Sequence, residues 1–161
     1  MTTNSALRPL PASDALPKER LRVWLRLLKL NKAVEAELRE RLRREFATTL
    51  PRFDVMSALY RHTDGLKMSE LSRLLMVSNG NVTGIVDRLT EDGLILRAAV
   101  PGDRRAACAR LTAKGRTEFE KQAAAHEAWV AELLGGLDAD DCAQVMDLLA
   151  AARIIPLEDN S

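Results

Sequence analysis

Cysteine and histidine are scarce in this chain of 161 residues, which contains two of each. Cys108 and Cys142 do not form a CxxC pair, and His62 and His126 fall in different predicted helices. The spacing excludes the common zinc-binding patterns. A chain of this length can bury enough apolar surface to fold without disulfides. We therefore predict one domain with no metal site, in a reducing compartment.

Long apolar runs are also missing from the sequence. No segment approaches the roughly 18 consecutive apolar residues that a membrane span needs, and the N-terminal residues do not resemble a secretion signal. We expect a cytoplasmic protein without membrane contact. The sequence also lacks a Ser/His/Asp set, a pair of catalytic carboxylates and a glycine loop that cradles phosphates. An enzyme is therefore not favoured, and we assign no catalytic residue and no cofactor.

The charges that are present are unevenly distributed along the chain, although the net charge is only +1. Residues 66–116 contain nine Lys and Arg against five Asp and Glu, whereas residues 117–161 contain two against ten. This segregation allows one face to approach phosphates while another face stays acidic. Two ordinary solvated surfaces would give the same counts, so charge alone leaves both interpretations open.

Helical spacing dominates the first part of the chain. Residues 1–17 hold three prolines among small and polar residues, which is typical of a loose arm. Apolar residues then recur at helical spacing, which predicts a long first helix over about 18–48. Pro51 is well placed to begin a second helix, which ends before Asp64-Gly65.

The next segment predicts a helix-turn-helix. Ser69 is placed to cap a helix with three inward leucines, Val77-Ser78 forms the turn, and Gly93 ends the second helix in the left-handed conformation. The inward leucines are Leu71, Leu74 and Leu75. The fold class that follows is mainly α with a small β wing, a winged helix-turn-helix flanked by N- and C-terminal dimerisation helices.

The second helix of this motif has a well-defined buried stripe at Val82, Ile85, Val86 and Leu89. The opposite, outward face carries Gly80, Gly84, Asp87 and Glu91. Each glycine costs a helix about 1 kcal/mol relative to alanine, and close approach to a major groove is the reason we favour. Asn79, Asn81 and Thr83 would then reach base edges, while Arg88 takes a phosphate or a guanine. Glycines that packing merely tolerates are the alternative.

A basic hairpin follows this helix. Residues 94–96 predict a short strand, Pro101-Gly102 a turn, and alternating apolar residues up to Leu111 the returning strand. Arg104 and Arg105 stand at the tip, where a guanidinium can enter a narrow minor groove. Asp103 can accept a hydrogen bond from Arg105 and fix the turn. A solvated tip is a credible alternative for Arg104 alone.

The C-terminal part predicts two more helices, the first capped by Thr112 and the second by Asp138. The first carries a heptad-type apolar stripe, and the second has an apolar face of its own. The stripe consists of Phe119, Ala123, His126, Val130, Leu133 and Leu137. Together with the first helix, these elements exceed what one winged domain needs for its core. We therefore predict a two-fold homodimer on a pseudo-palindromic double-stranded DNA operator, with recognition helices about 34 Å apart.

Two segments, SNGNVTGIVDRLTEDGLI and PGDRRAACARLTAKG, together with helices at both ends, resemble the MarR family of bacterial transcriptional regulators over about residues 20–153. The resemblance implies a homodimeric repressor that a small, often aromatic, ligand releases from its operator. It also implies that Asp103 and Arg105 form the wing pair. Many relatives carry Ser and Arg where this chain has Gly80 and Gly84, which shifts the expected readout toward DNA shape.

These considerations give the predicted boundaries and contacts. We expect an arm at 1–17, one domain over 18–155, a tail at 156–161, a winged helix-turn-helix at about 52–112 and dimerisation helices at about 18–48 and 112–153. The predicted DNA-contacting residues are Ser69, Ser78, Asn79, Asn81, Thr83, Arg88, Asp103, Arg104 and Arg105.

The run LSRLLMVSNGNVTGIVDRL is similar to members that govern phenylpropanoid breakdown, whose effectors are aryl-CoA thioesters such as p-coumaroyl-CoA or feruloyl-CoA. The first helix carries more cations than its acids need, and CoA brings several phosphates. A solvated face, or contact with flanking DNA, explains these cations equally well, and a free aromatic acid is the rival ligand. Trp24, Leu28, Phe46, Phe53, Met56 and Tyr60 are predicted to line the pocket, although their spacing also suits a plain core.

Two other functions stay open. One is a winged-helix module that binds DNA or protein partners without a small-molecule effector, and the more distant one is an enzyme with an unrecognised site.

Overall fold

The computed structural model describes residues 15–100 and 102–152 and, within them, the side chains of all but residues 104–106. Most of the predicted arm at 1–17 and the whole predicted tail at 156–161 lie outside the described residues. The elements in chain order are α1 (Ala15–Phe46), α2 (Leu50–Arg61), β1 (Leu66–Lys67), α3 (Met68–Leu75), α4 (Asn79–Glu91), β2 (Ile95–Val100), β3 (Asp103–Leu111), α5 (Ala113–Leu133) and α6 (Ala139–Ala151). The predicted fold class, mainly α with a small β wing, is confirmed.

The core lies in the middle of the chain, in a unit that we call the reading head (residues 50–112). Its fully buried side chains interlock α2, α3, α4 and β2, and Leu42 of α1 joins them. Burying one such side chain contributes about 1.5–3 kcal/mol. The residues are Leu42, Val55, Met56, Leu59, Leu71, Val82, Val86, Leu89 and Ile95.

α1 is buried only toward its C-terminal end, at Leu38 and Leu42. Pro17 lies in its first turn, where a missing N–H breaks no helical hydrogen bond, so the helix begins at Ala15 rather than at about residue 18. Arg41 joins α1 to α5 through a 2.7 Å hydrogen bond from Nη1 to Glu132 Oε2. This bond and the guanidinium charge lower the pKa of Glu132 below its usual range.

α3 begins two residues earlier than a cap at Ser69 would allow. Lys67 is the N-cap residue, and its backbone N–H donates to Glu70 Oε2 at 2.8 Å. The prediction that Ser69 caps α3 is therefore wrong, because Ser69 lies inside the first turn and is exposed. Leu74 is 53% exposed rather than inward, since it lies about 60° round the helix from Leu71, on the side away from Leu75.

The sheet contains a strand that was not predicted. β1 pairs with β3 in antiparallel register, Leu66 opposite Ala109, which gives the strand order β1-β3-β2. Gly65 precedes β1 with φ +90°, and a Cβ there would lie 2.8 Å from the carbonyl oxygen of Ala109. Only glycine therefore allows β1 to reach the sheet.

α5 and α6 differ in how far their apolar residues are buried. Thr112 caps α5 by accepting from Gly115 N at 2.9 Å, as predicted. Phe119 and His126 of α5 pack on Phe53, and their ring centroids lie 5.3 and 4.6 Å from that of Phe53. These two residues of the predicted apolar stripe are therefore covered by α2 of the same chain. α6 has Asp138 as its cap but contains no buried residue. No described helix is long and apolar enough to cross a bilayer.

Candidate nucleic-acid interface

The outward face of α4 is open to solvent over its whole length. Val82, Val86 and Leu89 are fully buried and Ile85 is half-buried, which confirms the predicted inner stripe. Gly80 and Gly84 lie on the opposite side, and a Cβ built on either would have no atom within 4 Å. Packing inside the protein therefore does not require these glycines.

The polar residues at the start of α4 have partly structural roles. Ser78 is the N-cap, and its Oγ accepts from the backbone N–H of Asn81 at 3.4 Å. Thr83 donates from Oγ1 to the carbonyl oxygen of Asn79 at 2.8 Å. The side chains of Asn79 and Asn81 are exposed at the N-terminal end of the helix, which is the end that contacts base edges in helix-turn-helix proteins.

The charged residues of α4 fall into two groups. Arg88 is exposed and makes no ion pair with the described residues, so its guanidinium is available to a phosphate or a guanine. Asp87, on the line of the two glycines, forms an ion pair with Arg97 of β2. Sequence reasoning missed this pair, because it joins a helix to a strand and neither residue predicts the other.

The wing is a two-stranded ribbon beyond the level of β1. β2 and β3 pair from Ile95 opposite Leu111 to Val100 opposite Asp103, with an irregularity between Ala99 and Val100. Gly102 at the tip has φ +84°, as a tight turn requires. Arg104 and Arg105 lie in β3 next to this tip, but their side chains fall outside the described residues, and so does the predicted pairing of Asp103 with Arg105.

The C-terminal end of α4 is fastened to the neighbouring helices. Arg52 of α2 forms an ion pair with Asp92, and Lys114 Nζ donates to the backbone carbonyl of Asp92 at 2.9 Å. Thr112 Oγ1 donates to the carbonyl oxygen of Gly93 at 2.7 Å, and Gly93 adopts the predicted left-handed cap with φ +72°. These contacts fix the tilt of α4 relative to α2 and α5.

Comparison with known proteins identifies the family of the chain. A family model described as "MarR family" matches residues 48–107. A MarR family transcriptional regulator from Silicibacter pomeroyi has a solved structure that is 36% identical, with a TM-score of 0.71, covering 84% of this chain and 93% of that one. The chain belongs to the MarR family of transcriptional regulators.

Two further similarities concern the extent of the match and the DNA. This MarR-family chain is 36% identical over 102 residues to the uncharacterized HTH-type transcriptional regulator YkoM of Bacillus subtilis, covering 63% of this chain. It spans 66% of YkoM and 62 and 64% of two other curated relatives. A mutant MarR from E. coli, solved in complex with operator DNA, is 25% identical with a TM-score of 0.70, covering 90% of this chain and 99% of that one. YkoM and the MarR family protein from Silicibacter pomeroyi are both named as transcriptional regulators.

The six residues predicted for the ligand pocket of this MarR-family protein do not come together. Phe53 and Met56 are core residues, 7% and 0% exposed. Phe46 packs on Trp129 with ring centroids 6.1 Å apart, and Tyr60 donates to Glu120 Oε1 at 3.0 Å. Trp24 and Leu28 lie in the N-terminal half of α1, and Trp24 is 57% exposed. Helical spacing does not separate core aromatics from pocket aromatics, and the assignment of these six residues to a ligand pocket stays a prediction.

A different set of residues lines a cavity at the predicted junction. This cavity of about 200 Å³ lies where α1 meets the reading head, between α1, α2, the end of α3 and α4. One wall is apolar and contains Leu75, Val77 and Ile85, and the other contains Glu35, Arg39 and Asp54. Burial, reinforced by the charge of Glu35, raises the pKa of Asp54 above its ordinary value.

The histidines of the described chain have structural contacts. His62 Nδ1 lies 2.8 Å from the carbonyl oxygen of Ala58, and His126 stacks on Phe53. Burial lowers the pKa of His126. No cluster of His, Cys, Asp or Glu among residues 15–100 and 102–152 has a metal-binding arrangement.

Proposed function

We propose that this protein is a homodimeric, ligand-responsive DNA-binding regulator, a repressor of genes for aromatic (phenylpropanoid) catabolism. The observation that carries the DNA-binding part is the outward face of α4. Gly80 and Gly84 stand there in open space, and the exposed Asn81 and Arg88 flank them. This arrangement lets the helix axis approach base pairs closely while side chains at its margins make the contacts. The wing then supplies a second contact in the adjacent minor groove.

A second copy of the chain is the partner that the helical ends fit, and we use "helical ends" for residues 15–30 of α1 together with α6. These segments expose Leu16, Leu21, Val23, Trp24, Leu25, Leu30, Val145, Met146, Leu148 and Leu149. Apolar exposure on this scale marks an interaction surface. Because the helical ends flank the reading head from both termini, a two-fold pairing through them presents two copies of α4 to a pseudo-palindrome.

The proposed effector is an aromatic acyl-CoA, p-coumaroyl-CoA or feruloyl-CoA, or else the free aromatic acid. The junction cavity has an apolar wall that suits an aromatic ring. Along α1, Arg22, Arg26 and Lys29 lie on an exposed face together with Glu19, which forms an ion pair with Arg22. The cations of this face suit the phosphates of CoA. A ligand in the junction cavity would contact α2 and α4 together and so change the tilt of α4.

DNA binding is tested by the fluorescence anisotropy of a labelled fragment of the protein's own promoter region. We expect tight binding with a steep dependence on salt and a large loss in the Arg105→Ala variant. Equal affinity for random DNA of the same length would refute the proposal.

The effector is tested by adding p-coumaroyl-CoA, feruloyl-CoA, the two free acids and CoA alone to the same complex. Release by the thioesters but not by CoA supports the acyl-CoA, and release by the acids supports the rival ligand. In the Val77→Trp variant a large side chain fills the cavity, and we expect it to block release. Met76→Trp, at the adjacent and 92% exposed position, is the matched control. If no compound changes the affinity, the protein is a winged-helix module without an effector of this class.

A further inference from the structure

An acidic side chain lies where the proposed DNA contact would be closest. Asp87 stands on the same line of α4 as Gly80 and Gly84, and its side chain is 52% exposed. Because the two glycines carry no side chains, a helix that settles into a groove brings Asp87 close to the DNA. A free carboxylate in this position would repel the DNA.

Arg97 of β2 neutralises this carboxylate. Its Nη2 bonds to Asp87 Oδ1, and the Arg97 side chain is 38% exposed. The pair joins the outward face of the recognition helix to the base of the wing.

The position of Arg97 in the sheet gives the pair a second role. Arg97 lies opposite Ala109 of β3, and Ala109 also pairs with Leu66 of β1. The next residue of β2, Ala98, lies opposite Cys108 of β3, and Cys108 is the last residue toward the wing tip that also pairs with β1. Beyond this position the wing is a two-stranded ribbon. A two-stranded ribbon has little stability of its own. The ion pair therefore holds the wing to α4 close to the point where support from the sheet ends.

We infer that Arg97 serves DNA binding through Asp87, as a positioning residue, and not through a phosphate contact of its own. Arg97 cancels the charge of Asp87, the acid that lies one helical turn from Gly84 on the outward face, and fixes the wing relative to α4. The inference rests on the proposed function, since it assigns a role within the same DNA-binding face.

The experiment compares wild type, Asp87→Asn, Arg97→Gln and the double variant D87N/R97Q for binding to the promoter fragment over a range of KCl concentrations. We expect Arg97→Gln to weaken binding by about tenfold, which corresponds to about 1.4 kcal/mol, because an unpaired carboxylate then faces the DNA. The double variant should regain affinity to within about threefold of wild type, and Arg97→Lys, which keeps the charge, should do the same.

A direct phosphate contact by Arg97 predicts a different result. The double variant would then bind as weakly as Arg97→Gln, and the slope of log K against log salt would fall by about 0.9 in both. That outcome overturns the inference.

Arg88→Gln serves as the matched control for the rescue. Arg88 is adjacent to Asp87 but makes no ion pair with the described residues, so Asp87→Asn should not restore the affinity that Arg88→Gln loses. Rescue of Arg88→Gln to the same extent would show a nonspecific effect of removing an acid and would also overturn the inference. Thermal unfolding of each variant verifies that the fold is intact. Failure of wild type to bind the fragment would refute the proposed function itself, whereas failure of rescue with wild type bound refutes only the role of Arg97.

Discussion

The reading head buries most of its large apolar side chains, whereas the helical ends leave most of theirs exposed. In the head, Met56, Val82 and Leu89 are fully buried against other parts of the same chain. At the ends, Met146 and Leu148 are 70% and 65% exposed although they follow the same helical spacing. The core of the head is therefore closed within the single chain, with help from Leu42 of α1 and Phe119 of α5. The ends, by contrast, have apolar faces that the described part of the chain leaves exposed. The same pattern in sequence can serve a core or an interface.

Truncation of one leucine in each region should affect stability very differently. Leu89→Ala should lower the free energy of unfolding by about 2–5 kcal/mol, because it leaves a cavity in a closed core. Leu148→Ala should change it by less than about 0.5 kcal/mol at protein concentrations where the chain is monomeric. Urea unfolding measures both values. A large loss for Leu148→Ala that does not depend on protein concentration would mean that α6 belongs to the core of the single chain.

A charge placed on each of the two regions should affect dimerisation differently. Leu148→Asp should shift the protein from dimer to a monomer near 17.8 kDa, weakening association by at least about tenfold, since a charge cannot be buried unpaired at low cost. Leu74→Asp, at a leucine of the head that is 53% exposed, should leave the dimer intact. Sedimentation at micromolar concentration distinguishes the two. Wild type sedimenting as a monomer would contradict the proposed role of the helical ends.

Within the head, replacing a glycine of α4 should have opposite effects on stability and on DNA binding. Gly84→Ala should raise the free energy of unfolding by about 0.5–1 kcal/mol, because alanine favours helix and its Cβ meets no atom within 4 Å. The same change should lower affinity for the promoter fragment, since the methyl group keeps α4 away from the base pairs. Glu127→Ala, on the exposed surface of α5, should leave binding unchanged. Gly84→Ala with higher stability and undiminished binding would show that the glycine is merely tolerated.

The smallest expected effect concerns pH. Burial lowers the pKa of His126 in the folded state, so the unfolded chain takes up a proton near pH 6.5 while the folded chain does not. Stability should therefore fall as pH decreases from 7 through 6.5, until the folded pKa is passed. His126→Phe keeps the ring against Phe53 and should flatten this part of the melting profile. An unchanged profile in His126→Phe would assign the pH dependence to other groups.

Several structural features were readable from local pattern. The caps at Thr112 and Asp138, the left-handed Gly93 and the buried stripe of α4 depend on contacts within a few residues, so their spacing predicts them. The sequence did not predict β1, because a strand of two residues is too short to show an alternating pattern. Ser69 was wrongly assigned as the cap of α3, because Lys67 and Glu70 form that cap.

By itself, the sequence determined the order of the helices, the face of α4 that is turned outward and the family to which the chain belongs, because helical period, caps and short motifs are local properties. The tertiary structure decided which aromatic residues are core, that Phe53 is enclosed while Trp24 is open, and that Asp87 meets Arg97. These outcomes depend on how distant segments pack together. A residue's burial and partners belong to that packing, which no local period encodes.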